Sequence, residues 1–442
     1  MISDFSAHFV VRGKDVGHHA ADYLSGLLST NRRKNIECIN KDISQSNYQA
    51  MQQMVTDSPW DENKVMEQVA GEVNGILGGH PQSALLIDET SFVKKGNASV
   101  GVQRQYCGRL GKTENCQMGV FAAMGRGDKA AIVDFRLFLP QSWVDDPERC
   151  EKAKIPHDQQ RHRSKLELAL EMVQNAKSRG LVFDWVLTDS AYSSSVDFCA
   201  TLEQAGLKFM GDVSVTNRVW DADPKPCAPA KGAHGRPTQA CVKGNLSAKR
   251  LSVGDLVKKH FEKQSRQLTI REATKGELRA RVWITQVWVW DEGTPQAARR
   301  TLVAREKEDG ELKISWTNAP VGTDWEALAY MQAQRHWVER TFQDAKSELG
   351  MAQYEVRTWR GWHHHMALVS MAMLFMLKER VAHAQSAPLL SARDIVELLE
   401  YYLPRRGSKE EEIIADLVER HRQRIAAAKS HAKNRQNTPG ST

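Results

Sequence analysis

The sequence predicts an α/β fold: a core sheet interrupted by a β-rich insertion and flanked by helical segments. Three observations lead there. Two short, continuous apolar runs, SALLI at 83–87 and the run within FDWVLTD at 183–189, each end on an aspartate, as strands buried on both faces do where they reach a surface. Residues 1–80 and the stretch from about 321 onward carry apolar residues at helical spacing. Between 215 and 320 the period changes to two, in RVWITQVWVW, RTLVARE and LKISWT.

Taken in order, residues 1–80 read as a small all-helical domain. HHAADYLSGLL and NRRKNIECI have helical spacing, and Ser58-Pro59-Trp60-Asp61 reads as a helix start, with Ser58 at the cap and Pro59 in the first helical position. Gly78-Gly79 closes that helix. From Ser83 the chain turns to strands: SALLI ending at Asp88, then MGVFAAM and AIVDFRLFL with Gly-rich separators. SKLELALEMVQNAKSRG is an amphipathic helix ending at Gly180, followed by the strand FDWVLTD and, after another helix, the strand LKFMGDV. Three strands, a helix, then strand–helix–strand is the order of an RNase H-like sheet. Pro and Gly cluster at 224–237, ahead of the period-two stretches of the insertion. A helix begins near Trp325. The apolar run Met366 to Leu377, interrupted by Ser370, is too short for the ~20 residues that span a bilayer and reads as a buried helix. The expected division is thus 1–80 helical, 81–214 first part of the core, 215–320 insertion, 321–385 second part of the core, and 386–442 a helical, basic end. The last stretch, from RHRQRIAAAKSHAK onward, is polar and expected to fray.

Charge is unevenly distributed. The chain has a net charge of +7, yet residues 215–320 hold twenty Lys and Arg against twelve Asp and Glu, and Arg420 to the end adds six basic residues with no acid. Basic charge gathered into two segments is what a polyanion-binding protein needs, because each neutralised phosphate releases counterions; a solvated charged face is the other reading. Seven scattered cysteines without a C-x-x-C pair argue for a reducing compartment and against a disulfide framework or zinc ribbon. MISDFSAHF lacks the basic and apolar run of a signal peptide, so a cytoplasmic or nucleoid-associated protein is expected, with no membrane partner.

Asp88 and Asp189 are the first candidates for chemistry. A carboxylate at the end of a buried strand can hold a divalent cation that balances its desolvated charge, or can simply cap the turn that follows. In the helix from Tyr330, Arg335, Glu339, Phe342 and Lys346 stand at offsets 0, 4, 7 and 11, on one face. That mixture is odd for packing and natural for a phosphodiester site: Glu339 would complete the metal ligands, and Arg335 and Lys346 would bind flanking phosphates. An ordinary i,i+4 ion pair between Arg335 and Glu339 is the plainer alternative.

These residues resemble the Tyr–Arg–Glu–Lys signature of DDE transposases of the IS-four-like superfamily, in which Arg precedes Glu by four residues and Lys follows it by seven. More narrowly, the chain resembles insertion-sequence family 701. The matching stretches are LLIDETSFVKKGNASVGVQRQYCGRLGKTENCQMGV, WVLTDSAY and HWVERTFQDAKSELGMAQYEVRTWRGWHHH, with HFVVRG, DYLSGLL, RKNIE and DSPWDE near the N-terminus. One departure is that the signature tyrosine falls at Gln332, with Tyr330 two residues earlier. The resemblance implies an RNase H-like fold with Asp88, Asp189 and Glu339 as the catalytic, metal-binding triad. It implies two Mg²⁺ (or Mn²⁺) ions, Asp88 bridging them, with hydrolysis at the element's ends and attack of the freed 3′-hydroxyl on target DNA. The partners it implies are DNA, both terminal inverted repeats and target, and a second copy in a synaptic dimer. The 149 residues between Asp189 and Glu339 leave room for the family's β-insertion, whose base-stacking tryptophan would be Trp316, Trp288 or Trp290 unless these are core residues. Lys94, Lys95 and Arg104 lie in the first motif and would touch DNA phosphates, or else are solvated hairpin residues. His363-His364-His365 splay around a helix, cannot form one metal face, and are expected on a polar or DNA-facing surface. No P-loop pattern appears, so no nucleotide cofactor is implied. A nuclease that cuts without joining, or an inactive DNA-binding descendant, are the competing readings.

Overall fold

A computed structural model describes residues 2–30, 33–43, 47–228, 241–273, 276–307 and 310–403, with isolated positions 418, 422 and 425. The basic end from 404 therefore lies almost wholly outside the described residues, as does most of the Pro/Gly cluster at 224–237.

After the one-turn helix Ile2–Phe5 and a 3-10 turn at Ser6–Phe9, four longer helices follow: α1 (Gly17–Leu27), α2 (Ile36–Asp42), α3 (Tyr48–Thr56) and α4 (Glu62–Leu77). A two-residue hairpin pairing, Val10–Val11 with Lys14–Asp15, precedes them. The cap of α4 is Asp61, not Ser58: its carboxylate accepts from the Asn63 amide at 3.0 Å. Ser58-Pro59 is an extended connection instead, because Trp60 is drawn into the core and donates its indole N–H to the Met54 carbonyl at 2.9 Å. Gly78 terminates α4 as expected.

The strands are β1 (Ala84–Val93), β2 (Gln103–Cys107), β3 (Lys112–Arg126), β4 (Lys129–Leu137), β5 (Trp185–Thr188) and β6 (Lys208–Asp212). Between β4 and β5 lies α5 (Lys165–Ser178), started by a Ser164/Glu167 capping box. Between β5 and β6 lie the one-turn α6 (Ser190–Ser193) and α7 (Val196–Gln204). The next segment adds β7 (Arg218–Trp220), β8 (Arg250–Ser252), the helix α8 (Val253–Gln264), β9 (Arg266–Ala273), β10 (Gly276–Val289), β11 (Ala298–Glu306) and β12 (Leu312–Thr317). Four helices follow: α9 (Trp325–Gln334), α10 (His336–Glu348), α11 (Trp359–Ala382) and α12 (Ala392–Leu399).

All twelve of these strands join one mixed sheet, in the order β8-β7-β10-β11-β12-β6-β5-β1-β3-β2, with β4 also on β3 and β9 on β10. β1, β3 and β4 form an antiparallel meander, while β5 and β6 run parallel to β1. β12 then pairs antiparallel with β6, so the period-two strands of 215–320 continue the same sheet. Asp88 sits in the middle of β1, which runs on to Val93 because TSFV keeps pairing with β3.

A small cluster of Trp220, Ala248 and Trp290 stands apart, and most of the buried apolar residues between Phe5 and Val396 form one contiguous cluster. At its centre is α11, buried nearly all round, with β4 on one side and α1, α3 and α4 on the other. The three consecutive histidines belong to this interior and are not a polar or DNA-facing surface. His363 bonds the Trp359 carbonyl, and His364 lies between the Val55 and Trp60 carbonyls at 3.0 Å each while stacking on Trp60. His365 bonds the Tyr23 hydroxyl at 2.8 Å. Burial lowers all three, to about 3, 4 and 3, which favours the neutral rings. His365 through Tyr23, and His364 through one of its two flanking carbonyls at a time, pin α11 to the N-terminal helices.

Candidate active site

The site is built on strand register. β1 pairs parallel with β5 with Leu86 opposite Leu187, so continuing by two residues places Asp88 beside Asp189. β5 pairs parallel with β6 with Thr188 opposite Gly211, which sets Asp189 beside Asp212 in the same way. Three neighbouring parallel strands thus present an aspartate each, in one row, at the end where β5 and β6 stop. Asp212 was not singled out in the sequence, although LKFMGDV carries the signal that marked Asp189: a buried run ending on an acid.

The end of β5 is fixed locally. Asp189 caps α6, its Oδ1 accepting from the amides of Ala191 at 2.9 Å and Tyr192 at 3.3 Å. The Ser193 hydroxyl then reaches both the Asp189 carbonyl and the Asp212 carbonyl, stapling the two strand ends together. Gly211 makes this approach possible, since a Cβ there would lie 2.1 Å from that of Ser193.

Above the row sits the junction of α9 and α10. The helix expected to run straight through is interrupted at Arg335, which ends α9 and precedes α10. Its guanidinium reaches Asp88 at 3.4 Å, Asp212 at 3.5 Å and Glu339 at 2.8 Å. Arg335 is thus no plain surface ion pair: one cation serves three carboxylates from three elements. Burial works against its charge, but Asp88, then Asp212, Glu339 and Asp189, outweigh that and raise its pKa. Asp88 is buried, and desolvation pushes its carboxyl up to about 7; Arg335 pulls it back, while Asp189 and Glu339 push it further. Glu339 projects from α10 with its side chain 54% exposed, into a cleft that Asp212 and Arg335 also line. Lys346, two turns along, hydrogen-bonds Thr90 of β1; burial, then Arg109, brings it down to about 8, with Asp88 acting in the opposite sense. The Tyr192 phenol, buried with no hydrogen-bond partner for its hydroxyl, is coupled to Glu89, Asp189 and Asp88.

The structure therefore brings Asp88, Asp189, Glu339, Arg335 and Lys346 to one place, together with Asp212. Other candidates lie elsewhere. Lys94 packs its ammonium 3.4 Å above the Tyr354 ring, Lys95 is exposed on the connection after β1, and Arg104 is exposed on the edge strand β2. Trp316 is 3% exposed and Trp290 is 8% exposed; burial takes both rings out of reach of a base, while Trp288 is half-buried.

A mixed α/β sheet is consistent with a nuclease fold, and the chain belongs to the DDE superfamily of endonucleases, whose family model matches residues 10–277. The matched span contains Asp88, Asp189 and Asp212 and ends before Glu339. The chain is 31% identical over 191 residues to the probable transposase for insertion sequence element IS701 of Microchaete diplosiphon. That alignment covers 42% of this chain and 46% of the relative, so the chain spans about half the length of the protein it matches.

Proposed function

We propose that this protein is a DNA transposase that cleaves the ends of its element and joins the freed 3′-hydroxyls to target DNA. The observation that carries the reading is the aspartate row Asp88–Asp189–Asp212 gathered with Glu339 around the single guanidinium of Arg335. The strand order β4-β3-β1-β5-β6, antiparallel then parallel, supports an RNase H-like core. In that reading residues 1–80 are a helical DNA-binding domain, 215–320 is an insertion, 321–385 returns to the core with Glu339, and 386–442 is a basic C-terminal region. Two copies would pair both ends in a synaptic dimer. Among the described residues no helix is long and apolar enough to cross a membrane, which suits a protein working on DNA in the cytoplasm or nucleoid.

Endonucleases of this superfamily generally use divalent metal ions. The donor set suits a hard cation: every candidate ligand is a carboxylate oxygen, and Asp88 is a buried carboxyl group beside the Arg335 guanidinium. As placed, no three such side chains among the described residues close around one point. Asp88 and Asp189 would hold Mg²⁺ or Mn²⁺, two ions in all, with Glu339 completing the set. Bound there, the ions would polarise the phosphodiester and acidify a water.

The chain's own residues account for the remaining work. Burial of Asp88 keeps bulk water from competing for its oxygens. Ser193 and the α6 cap hold Asp189 in line with its neighbours, and Arg335 and Lys346 offer charge to the phosphates flanking the reacting one. The test is a cleavage and strand-transfer assay with magnesium or manganese on DNA carrying the element's terminal repeats. Joined products from wild type, lost in Asp88→Ala, Asp189→Ala and Glu339→Ala while DNA binding persists, are expected. Cleavage without joining would make the protein a nuclease, binding without chemistry a DNA-binding descendant, and activity in Glu339→Ala would remove Glu339 from the triad.

A further inference from the structure

The cleft that Glu339 lines extends away from the aspartate row, between strands β11–β12 and the α9–α10 junction, with a volume of about 560 Å³. Arg305 of β11 and Lys313 of β12 both line it, and they are register partners, directly opposite on adjacent antiparallel strands. Like charges in that position repel each other and weaken a sheet, and two cations directed into one cleft are suited to receive an anion in addition to the Asp212 carboxylate beside Lys313. Neither side chain is left to find its own orientation. Asp212 lies 3.8 Å from the Lys313 ammonium, and Gln332 of α9 accepts the Arg305 Nε–H at 3.0 Å.

Gln332 is the more informative of the two holders. It is 5% exposed, and its amide nitrogen, with two hydrogens to donate, lies within reach of the Val303 carbonyl at 3.1 Å, the Ser315 hydroxyl at 3.0 Å and the Lys313 carbonyl at 3.3 Å. With the nitrogen committed to strand acceptors, the amide oxygen faces Arg305 and fixes the plane of its guanidinium. One side chain thus ties α9 to both β11 and β12 and aims the arginine into the cleft. It stands three residues before Arg335, so the arginine it aims and the arginine on the aspartates are held by the same helix end.

We propose that this cleft is a binding groove for the phosphate backbone of a DNA strand leading into the active site. Arg305 and Lys313 contact its phosphates, and Gln332 acts as the positioning residue for Arg305. The inference rests on the DNA reading above and adds a binding site to it. A backbone phosphate is the fitting ligand because the groove opens beside Glu339, where a strand running through the active site must pass.

The test uses the full chain, without metal, and a fluorescein-labelled random-sequence duplex titrated at several potassium chloride concentrations, read by anisotropy. Arg305→Gln and Lys313→Gln are each expected to reduce the slope of log affinity against log salt by about one, the signature of one lost phosphate contact. Gln332→Met is expected to reduce affinity as Arg305→Gln does, and the double variant to lose no more than either single one. Additive losses would reduce Gln332 to a packing residue, and unchanged slopes in both Arg305→Gln and Lys313→Gln would overturn the groove. If Gln332→Met does not fold, the two basic variants still decide. Absence of any salt-dependent binding by the wild type would instead overturn the DNA reading on which the groove depends, so the two failures are separable.

Discussion

Replacing Asp88 with asparagine is expected to stabilise the metal-free protein, and to do so only as the pH rises. Burial lifts the Asp88 carboxyl from 3.8 to about 7, a value that already includes the opposing pull of Arg335. Between about pH 4 and pH 7 the folded protein therefore keeps a proton that the unfolded chain has released. The folded state binds more protons, so stability falls through that window, and the loss is complete once the pH exceeds the folded value. Three pKa units correspond to about 4 kcal/mol as an upper bound. Asparagine carries no charge at any pH and escapes the penalty, while Arg335 keeps Asp212 at 3.5 Å and Glu339 at 2.8 Å.

The assay is thermal unfolding of wild type and Asp88→Asn in chelator, from about pH 4 to about pH 8. The difference in melting temperature should be smallest at the acid end and grow in favour of the variant, on the order of 5 °C at the alkaline end. Added magnesium should then raise the wild type above pH 7 and leave the variant where it was, because a cation supplies the balance that asparagine no longer needs. Melting curves that run parallel with pH would refute the argument, since they would mean that Asp88 is already ionised and compensated in the empty site. A variant that loses ground as the pH rises would refute it more strongly.

Gly211→Ala should cost about 1–3 kcal/mol in a denaturation midpoint, because the new Cβ meets Ser193, and Ser193→Gly in the same chain should recover part of it. His364→Ala removes a ring bonded near the Val55 and Trp60 carbonyls and stacked on Trp60, so a loss of roughly 2–5 kcal/mol is expected. Hydrogen exchange should rise first in α1–α4 for that variant, with β5 and β6 still protected; equal loosening everywhere would show that α11 does not pin the N-terminal helices through this residue.

What the sequence discloses depends on how far the deciding interaction lies along the chain. Asp88 and Asp189 are legible because a strand buried on both faces writes itself as an unbroken apolar run, and the acid that closes the run stands out. Asp212 follows an equally apolar run, FMG, and was passed over; its importance comes from register, which no local pattern records. The histidines show the same limit. Three polar residues in a row look solvated until α1, α3 and the 57–61 connection are folded against them, when carbonyls from Val55 and Trp60 and the hydroxyl of Tyr23 supply the partners. At Ser58 the local rule was sound and the competitor was tertiary: burying Trp60 moved the helix start to Asp61. Gln332, visible in the sequence as a departure from a signature, shows its role only when β11 and β12 arrive beside it.

The continuity of the sheet has a mechanical consequence for the proposed DNA groove. An insertion joined by flexible linkers would let Arg305 and the aspartate row drift relative to each other. Here β12 pairs with β6 directly, with Ser315 opposite Asp212 and its hydroxyl donating to that carboxylate at 2.8 Å. Asp212 thereby touches everything that must stay in register: β12 through Ser315, the groove through Lys313, and the row through Arg335. Hydrogen-bonded strands ~4.8 Å apart fix the spacing between the groove and the aspartates to multiples of that repeat. Arg335 then has the opposite property. It is shared among three carboxylates, of which Asp212 is also held by Lys313 and Ser315, so a cation that claimed Asp88 would leave the arginine supported by Asp212. In the proposed DNA complex the strand-anchored residues would set the spacing along the bound strand, and the shared Arg335 would be the side chain able to respond to what is bound.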